Sequence, residues 1–460
     1  MTPSDRASVC RQLASLVSAI TFEQLPDDVV REARRRHLDA LACTLSGVDG
    51  DVALKMRRAS FALGGVEQAT IIGAGRRSSV DRAALVNCTS LRQLDFMDGH
   101  PGPYPAHASM NIPAIWAVAE FLDKSGADVI LATVLAYEVN IRLQLAAGAP
   151  DIGKDGWNGS SIMGSAVATG VASLLGLSAK QTADAISIAT THAPTLDAPR
   201  RDQMPDSKVC MDAIVAQSSI VAAFMAKEGI TGPDKVFEGA AGFAKAVSRR
   251  LDTDILLAPM TSFRITDMYT KRFNGVKCAQ TAVAAALQIR AKLSSGWQDI
   301  GRIDLGLPEY DYHHQLEDIE HRRRPGTRDT ANHSIFYCVA AAFIDGDLGP
   351  AQFSSERLQD RRVHDLIDRT EVELRPELNQ HWPATNPVNV SVTTRAGERH
   401  TQLLLHSPGH PQAPLSDDEL VAKLQALAPA RINASIIACA AELIFTMEKL
   451  PSIRPLLAQF

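Results

Sequence analysis

The sequence has no excess of either charge, few aromatic residues and no long apolar run. It carries 47 Lys and Arg against 52 Asp and Glu in 460 residues, a net charge of −5, so it offers no strong positive field to a nucleic-acid backbone. No uninterrupted run of about 18 apolar residues marks a membrane span, and the first residues lack the apolar core of a signal peptide. We therefore expect a cytoplasmic protein that binds neither nucleic acid nor membrane.

Motifs that hold metals, phosphates or activated nucleophiles are also missing. The seven cysteines lie far apart without a CxxC pair, which argues against a zinc or iron–sulfur site, and their odd number argues against a disulfide framework. The chain has no GxxxxGK[ST] loop, no GxGxxG after a strand, no GxSxG elbow and no HExxH helix. The sequence therefore predicts no metal site.

The first half of the chain repeats its apolar residues with the period of a helix. Aromatic residues make up only 5% of the sequence, and Ala and Leu are abundant. Helices are predicted over residues 29–45, 114–122, 129–148 and 161–177. Gly164, Ala168 and Ala172 form a stripe of small residues that lets a neighbouring helix approach closely. Ser178 is predicted to cap the next helix.

The pattern changes after about residue 262. Short runs typical of strands cover residues 301–307, 369–374, 389–397 and 399–405, and the last two resemble a hairpin that turns at Gly397. The tail returns to helical periods after Ser416, a predicted capping residue. We expect a mostly α fold: a large all-helical domain from residues 1–265 and 410–460, and a smaller α+β lid domain from residues 266–409.

Residues 91–109 interrupt two helical stretches with Gly, Pro, Asp and His, which is typical of a loop that places acid and base groups. Asp95, Asp98, His100 and His107 are the candidates in this loop. The alternative reading, a turn with capping aspartates and solvated histidines, is about as good when the loop is taken alone.

Three basic segments each precede an apolar helix. A lysine beside the buried face of an Ala-rich helix needs a partner or a function, because desolvation of an ammonium group costs several kcal/mol. Together with the Asp/His loop, these segments predict a pocket for a small polyanion, although solvated helix starts are the alternative for each. The residues concerned are Arg200, Arg201, Lys208, Lys271, Arg272, Lys277, Arg328, His333, Ser334 and Tyr337.

Several segments, in order along almost the whole chain, resemble the MmgE/PrpD family of 2-methylcitrate dehydratases, cis-aconitate decarboxylases and iminodisuccinate epimerases. LDFMDGH…HAS resembles the family's LDFDDTH…HPS, and EGITGP, YTKRFNGVKCAQTAVAAAL, TRDTANHSIFYCVAAAFIDG and GHPQAPLSDDELVAKL also fit. The resemblance implies the two-domain fold, a homodimer, and chemistry without metal or organic cofactor. It implies catalytic roles for Asp95, His107, Lys208, Lys271 and Tyr337.

The chain departs from the family pattern at several positions. Gly99 replaces a threonine, two residues are added before His107, Asn158 stands where decarboxylase-like members have histidine, and Cys278 stands where histidine is common. We expect Asn158 to bind substrate, together with Arg272, Arg328 and His333. The resemblance implies a cofactor-independent lyase for a small di- or tricarboxylic acid, most similar to 2-methylcitrate dehydratase. Cis-aconitate decarboxylation, iminodisuccinate epimerisation and carboxylate binding without catalysis remain the alternatives.

Overall fold

The computed structural model describes residues 7–102, 107–148 and 151–460. Within these residues the chain is 59% helical and 9% strand, which confirms the expected mostly α fold with a small α+β region. The α-helices are α1 Val9–Ser18, α2 Asp27–Gly47, α3 Asp51–Ala62, α4 Val80–Arg92, α5 Ile112–Leu122, α6 Gly126–Ala147, α7 Asp151–Lys154, α8 Ser160–Leu175, α9 Ala179–His192, α10 Ser207–Lys227, α11 Thr253–Leu256, α12 Lys277–Arg290, α13 Glu309–Leu316, α14 Ile319–Arg323, α15 Arg328–Asn332, α16 Ile335–Asp345, α17 Ser355–Leu358, α18 Arg361–Asp368, α19 Asp417–Leu427, α20 Ala434–Phe445 and α21 Arg454–Leu457. The strands are β1 Ala69–Ile71, β2 Arg76–Ser78, β3 Ile300–Leu307, β4 Thr370–Leu374, β5 Val388–Thr394 and β6 Arg399–Leu404.

The helical part of the molecule, which we call the helical unit, is built around α4, α6, α8, α9 and α10. Helix α8 packs against α6, α9 and α10, and α10 also packs against α4. Gly164 of the predicted small-residue stripe lies where α8 meets the end of α9, because a Cβ on Gly164 would stand only 2.6 Å from the Cβ of Ala193. Ser178 caps α9 in a capping box with Gln181, as predicted.

The α+β part, which we call the lid unit, is a four-stranded sheet with helices packed on it. Its strand order is β4-β3-β5-β6, with β3 parallel to β4 and all other neighbours antiparallel. Strands β5 and β6 form the predicted hairpin, and Gly397 adopts φ +89° in its turn. Helix α12 packs against β5 and β6, and α16 packs against α12, so these elements share one apolar core.

One hairpin was not predicted. Strands β1 and β2 are only three residues long each, too short for a periodic pattern to stand out. A long-range contact supports the hairpin: the Glu120 carboxylate accepts hydrogen bonds from the Thr70 backbone N–H at 2.7 Å and from the Thr70 hydroxyl at 2.8 Å.

The C-terminal helices pack on the helical unit rather than on the lid unit. Helices α19 and α20 lie against α2, and their apolar residues belong to the core of the helical unit. The Nζ atom of Lys423 on α19 lies 2.7 Å from the Asp39 carboxylate and donates to the carbonyl oxygens of Phe96 and Lys271 at 3.1 and 2.9 Å. The tail therefore also contacts the two segments that carry Phe96 and Lys271.

Among the described residues, two helices are long and apolar enough on average to cross a membrane. An 18-residue apolar stretch of Gly126–Ala147 is 89% buried inside the protein, and one of Ser207–Lys227 is 56% buried. Core helices of soluble proteins have the same length and composition, and α6 packs in the core of the helical unit.

Lys423→Met should lower the free energy of unfolding by about 3–5 kcal/mol, because it leaves the buried Asp39 carboxylate without its cation. Urea denaturation measures the loss. Lys449→Met, at an exposed lysine near the same end of the chain, is the control and should change stability by less than about 0.5 kcal/mol. Equal effects of the two substitutions would contradict a special role for Lys423.

Candidate active site

The centre of the candidate site is the Asp95 carboxylate, which is buried just after α4. Residue Asp95 is 2% exposed and has φ +52°, a left-handed conformation that Asp adopts more readily than most residues. The Nζ atom of Lys271 lies 2.7 Å from its Oδ2 and 2.7 Å from its backbone oxygen. Arg92 pairs with Oδ1, and the Nζ of Lys208 lies 3.7 Å from the same atom. Three cations therefore surround one carboxylate.

The pKa of Asp95 reflects this setting. Burial acts to raise it, but the positive charges of Lys271 and Arg92 hold it well below the usual value for Asp. Burial acts in the opposite direction on the lysines: it lowers the pKa of Lys271 and brings that of Lys208 down to about 8. Asp95 is thus an anion at neutral pH, and Lys208, with a pKa of about 8, can exchange its proton near neutral pH.

Two backbone hydrogen bonds bring Lys271 to Asp95. The N–H of Gly99 donates to the carbonyl of Tyr269 at 3.1 Å, and the N–H of Tyr269 donates back at 2.9 Å. A Cβ on residue 99 would stand 2.4 Å from the Tyr269 hydroxyl oxygen. The departure from the family's threonine therefore has a physical reason, since the Tyr269 ring occupies the space of that side chain.

The lid unit completes the surroundings of Lys208. The Asp329 carboxylate lies 3.1 Å from its Nζ, and Arg328 pairs with the same carboxylate at 3.0 Å. The Nε2 atom of His333 lies 3.9 Å from Oδ1 of Asp95, and its Nδ1 atom lies 2.9 Å from the Asp329 carbonyl oxygen. Arg328 also lies 3.4 Å from Asp51 at the edge of the cluster. The predicted residues Asp95, Lys208, Lys271, Arg328 and His333 are therefore brought together.

His107 lies beside this cluster and is neutral. Its Nδ1 is 2.6 Å from the carbonyl oxygen of Asp98. Since a carbonyl can only accept, Nδ1 carries the hydrogen and Nε2 keeps a free electron pair. Burial lowers the pKa of His107 to about 3. Residues 103–106, which precede His107 in the segment with the two added residues, lie outside the described residues.

Asn158 joins the same region through a chain of hydrogen bonds. Its amide donates to Asp197 at 2.8 Å, and its carbonyl oxygen accepts from the N–H of Ser160 at 3.0 Å. The hydroxyl of Ser160 lies 2.7 Å from Asp212, whose other oxygen lies 3.2 Å from the Nε of Arg92. His107, Asn158, Arg92 and Arg200 line one small cavity.

Two predicted residues lie elsewhere. The Arg272 side chain is 48% exposed and lies 3.8 Å from Asp347. The hydroxyl of Tyr337 donates to the Gln352 carbonyl at 2.6 Å inside the core of the lid unit, where its ring packs on Phe353. Neither side chain contacts the Asp95 cluster.

Sequence reasoning did not single out Arg92, Asp212 or Asp329. Arg92 and Asp95 are three residues apart at a helix end, a spacing that allows an ion pair, but the sequence does not show that both are buried. Cys278, the fourth departure, is buried and accepts a hydrogen bond from Gln315 at 3.4 Å. No group of three or more His, Cys, Asp or Glu in the described part of the chain is arranged to hold a metal ion.

A large cleft of about 1,000 Å³ lies next to this site, lined by both units. Asp197, Arg200 and Arg201 line it from the helical unit, and Tyr310 and Trp382 line it from the lid unit. Arg200 lines both this cleft and the small cavity at His107, so the two spaces are adjacent.

Comparison with known proteins agrees with the resemblance seen in the sequence. Family models of the MmgE/PrpD N-terminal and C-terminal domains match residues 11–255 and 276–443. The chain belongs to the MmgE/PrpD family. Cis-aconitate decarboxylase of Mus musculus is 26% identical over 97% of this chain and 91% of its own length. The 2-methylcitrate dehydratase of Salmonella typhimurium is 25% identical over 87% of this chain and 86% of its own. Both relatives are named as enzymes, one a decarboxylase and the other a dehydratase, which supports a lyase at the level of the family.

Asp95→Asn should destabilise the protein by about 3–5 kcal/mol at pH 7, because it leaves buried cations without their anion. The folded-state pKa of Asp95 lies below its unfolded value, so its stabilisation is complete above about pH 5 and is lost as the pH falls below about 4. Urea denaturation at a series of pH values should show the gap between wild type and variant shrink in acid.

Asp311→Asn is the matched control, at a buried aspartate whose pKa burial raises to about 6. A raised pKa has the opposite sign: the stability that Asp311 contributes is lost as the pH rises from about 4 to about 6. The difference between wild type and this variant should therefore move in favour of the variant over that range. The same pH dependence for both variants would contradict the charge arrangement described for Asp95.

Proposed function

We propose that the protein is a cofactor-independent lyase that dehydrates a small di- or tricarboxylic acid in the manner of 2-methylcitrate dehydratase. The observation that carries the proposal is the cluster of Arg92, Lys208 and Lys271 around Asp95, with neutral His107 beside it. Loss of a proton next to a carboxylate puts negative charge on its oxygens, and fixed cations in a buried site stabilise that charge.

Both lysines have donors left for a substrate. An ammonium group has three N–H donors. Within the described residues, Lys271 uses two of its three donors, one for the Asp95 carboxylate and one for the Asp95 backbone oxygen. Lys208 makes one hydrogen bond, to the Asp329 carboxylate. A carboxylate of the substrate can therefore bind to both lysines without breaking the contacts that hold them. Arg92, which pairs with both Asp95 and Asp212, lines the small cavity together with His107.

The proton transfers follow from the protonation states. The Nε2 of His107 accepts the proton from the carbon next to a carboxylate, and the binding of a polyanion raises the pKa of the imidazole for this step. Lys208, with a pKa of about 8, donates a proton to the departing hydroxyl, which leaves as water while the double bond forms. Lys271 stabilises the carboxylate charge, and Asp95 positions Lys271. Each group then exchanges its proton with solvent.

The site is completed by the two units together. Lys208 and His107 belong to the helical unit, whereas Asp329 and His333 belong to the lid unit. Because Lys208 and Lys271 are almost fully buried, a substrate can reach them only when the two units move apart. When the units close again, they exclude water from the charged intermediate.

Decarboxylation of cis-aconitate is the second candidate, supported by relatives such as the decarboxylase of Mus musculus, which match over nearly the whole chain. It needs a proton donor for the carbon that loses CO₂. At position 158 this chain has an amide committed to Asp197 and Ser160, and an amide does not deliver protons at neutral pH. We therefore favour dehydration. The resemblance also leads us to propose a cytoplasmic homodimer that works without metal.

Purified protein, incubated with 2-methylcitrate, citrate, cis-aconitate and iminodisuccinate, should dehydrate one of the hydroxy acids. Mass spectrometry separates the outcomes: loss of water, loss of CO₂, or no mass change with inversion, which chiral chromatography detects. Treatment with EDTA should leave the rate unchanged. Release of CO₂ alone would replace our proposal with decarboxylation, and tight binding without turnover of any acid would indicate a binding protein.

His107→Ala and Lys208→Ala should each lower kcat at least about 100-fold, the usual effect of losing one acid–base or charge-stabilising group. Arg272→Ala and Tyr337→Phe are the matched controls, since both residues were sequence candidates that lie away from the cluster. Their kcat should stay within about threefold of wild type. A folded His107→Ala enzyme with normal kcat would remove His107 from the mechanism, and a large loss in Tyr337→Phe would mean that Tyr337 takes part.

A further inference from the structure

The cleft between the two units is larger than the proposed substrates need. Its volume of about 1,000 Å³ is at the upper end of the about 300–1,000 Å³ that pockets for drug-sized ligands occupy. An acid of six or seven carbons fills only a small part of that space. Since Arg200 lines both spaces, a ligand with its carboxylates beside His107 has the cleft directly next to it.

Part of the cleft lining is aromatic, and we call this part the aromatic wall. The rings of Tyr310 and Trp382 are stacked with centroids 5.0 Å apart and planes 29° apart, and the His314 ring is stacked with Tyr310 at 6.0 Å and 4°. Tyr310 and His314 are four residues apart on α13, which places both on one helix face. Burial keeps the pKa of His314 well below its usual value, so this ring adds no charge. The three rings therefore form a stacked aromatic group in the lining of the cleft.

Four charged residues of the cleft, Asp197, Arg201, Glu317 and Arg322, are paired with one another or with backbone oxygens. Arg201 lies 3.3 Å from Asp197 and 3.1 Å from Glu317. Arg322 donates to the carbonyl oxygens of Glu317 and His333. A polyanionic group that bound at these four residues would have to break these contacts, whereas an apolar group against Tyr310 and Trp382 would not.

We propose that the acid processed at this site carries an apolar substituent larger than methyl, an alkyl chain or an aryl group, that lies against Tyr310 and Trp382. This inference rests on the proposed function, because it assumes that the carboxylate end binds at Lys208 and Lys271. It assigns the cleft to substrate selection: the charged cluster recognises the acid, and the aromatic wall recognises the substituent.

A series of hydroxy tricarboxylates with one common head and methyl, butyl, hexyl or phenylethyl substituents tests the inference. In wild type, kcat/KM should rise with each added methylene that is buried, by up to about fourfold per group. Trp382→Ala should reduce kcat/KM for the hexyl and phenylethyl acids at least tenfold and leave the methyl acid within about threefold. Trp297→Ala, at another partly buried tryptophan of the lid unit that does not line the cleft, is the control and should keep the full rise.

The outcomes separate this inference from the proposed function. Turnover of the methyl acid with no gain along the series supports the function and overturns the inference, as does an equal loss for all four acids in Trp382→Ala. If no acid is turned over, the proposed function fails, and calorimetric binding of the same series decides the inference. Affinity that rises with substituent size in wild type, but not in Trp382→Ala, would support it, and affinity independent of size would overturn it.

Discussion

The interaction on which the site depends is the pairing of one buried carboxylate, Asp95, with Arg92 and Lys271, beside Lys208. Each buried ion loses several kcal/mol of hydration, and only close partners of opposite charge recover it. The three cations come from the end of α4, from the segment between the units and from the start of α10. The cluster is therefore stable only when these three parts of the chain are in their native positions, which couples the folding of the site to the folding of the protein.

The remainder of the structure maintains that arrangement from outside. The backbone pairing of Gly99 with Tyr269 aligns the two segments that carry Asp95 and Lys271, and Lys423 from the C-terminal helix α19 holds both of them by carbonyl contacts. This explains why the end of the chain returns to the helical unit: it supplies a cation to the buried Asp39 next to the site. The lid unit adds Asp329, so the charge of Lys208 is balanced across the boundary between the units.

Local patterns predicted much of the fold and part of the site. Helical periods, the capping boxes at Ser178 and Ser416 and the hairpin at Gly397 depend on neighbours in sequence, and the structure has them. The ion partners could not be predicted in the same way, because Asp329 meets Lys208 across 121 residues. Tyr337 shows the same limit: its hydroxyl direction is set by the packing of α16 against the rest of the lid core, which no short motif encodes.

Dehydration, decarboxylation and epimerisation of a carboxylic acid share one difficulty, the negative charge that develops beside a carboxylate. A cluster of buried cations meets that difficulty for all three, so the cluster alone does not select the reaction. What selects it is the group that can deliver a proton to the reacting carbon or to the leaving oxygen. Asn158, held by Asp197 and Ser160, delivers none, whereas Lys208 has a pKa of about 8 and can. A proton for a leaving hydroxyl is therefore available from Lys208, whereas Asn158 offers none to a substrate carbon, and on this ground we propose loss of water.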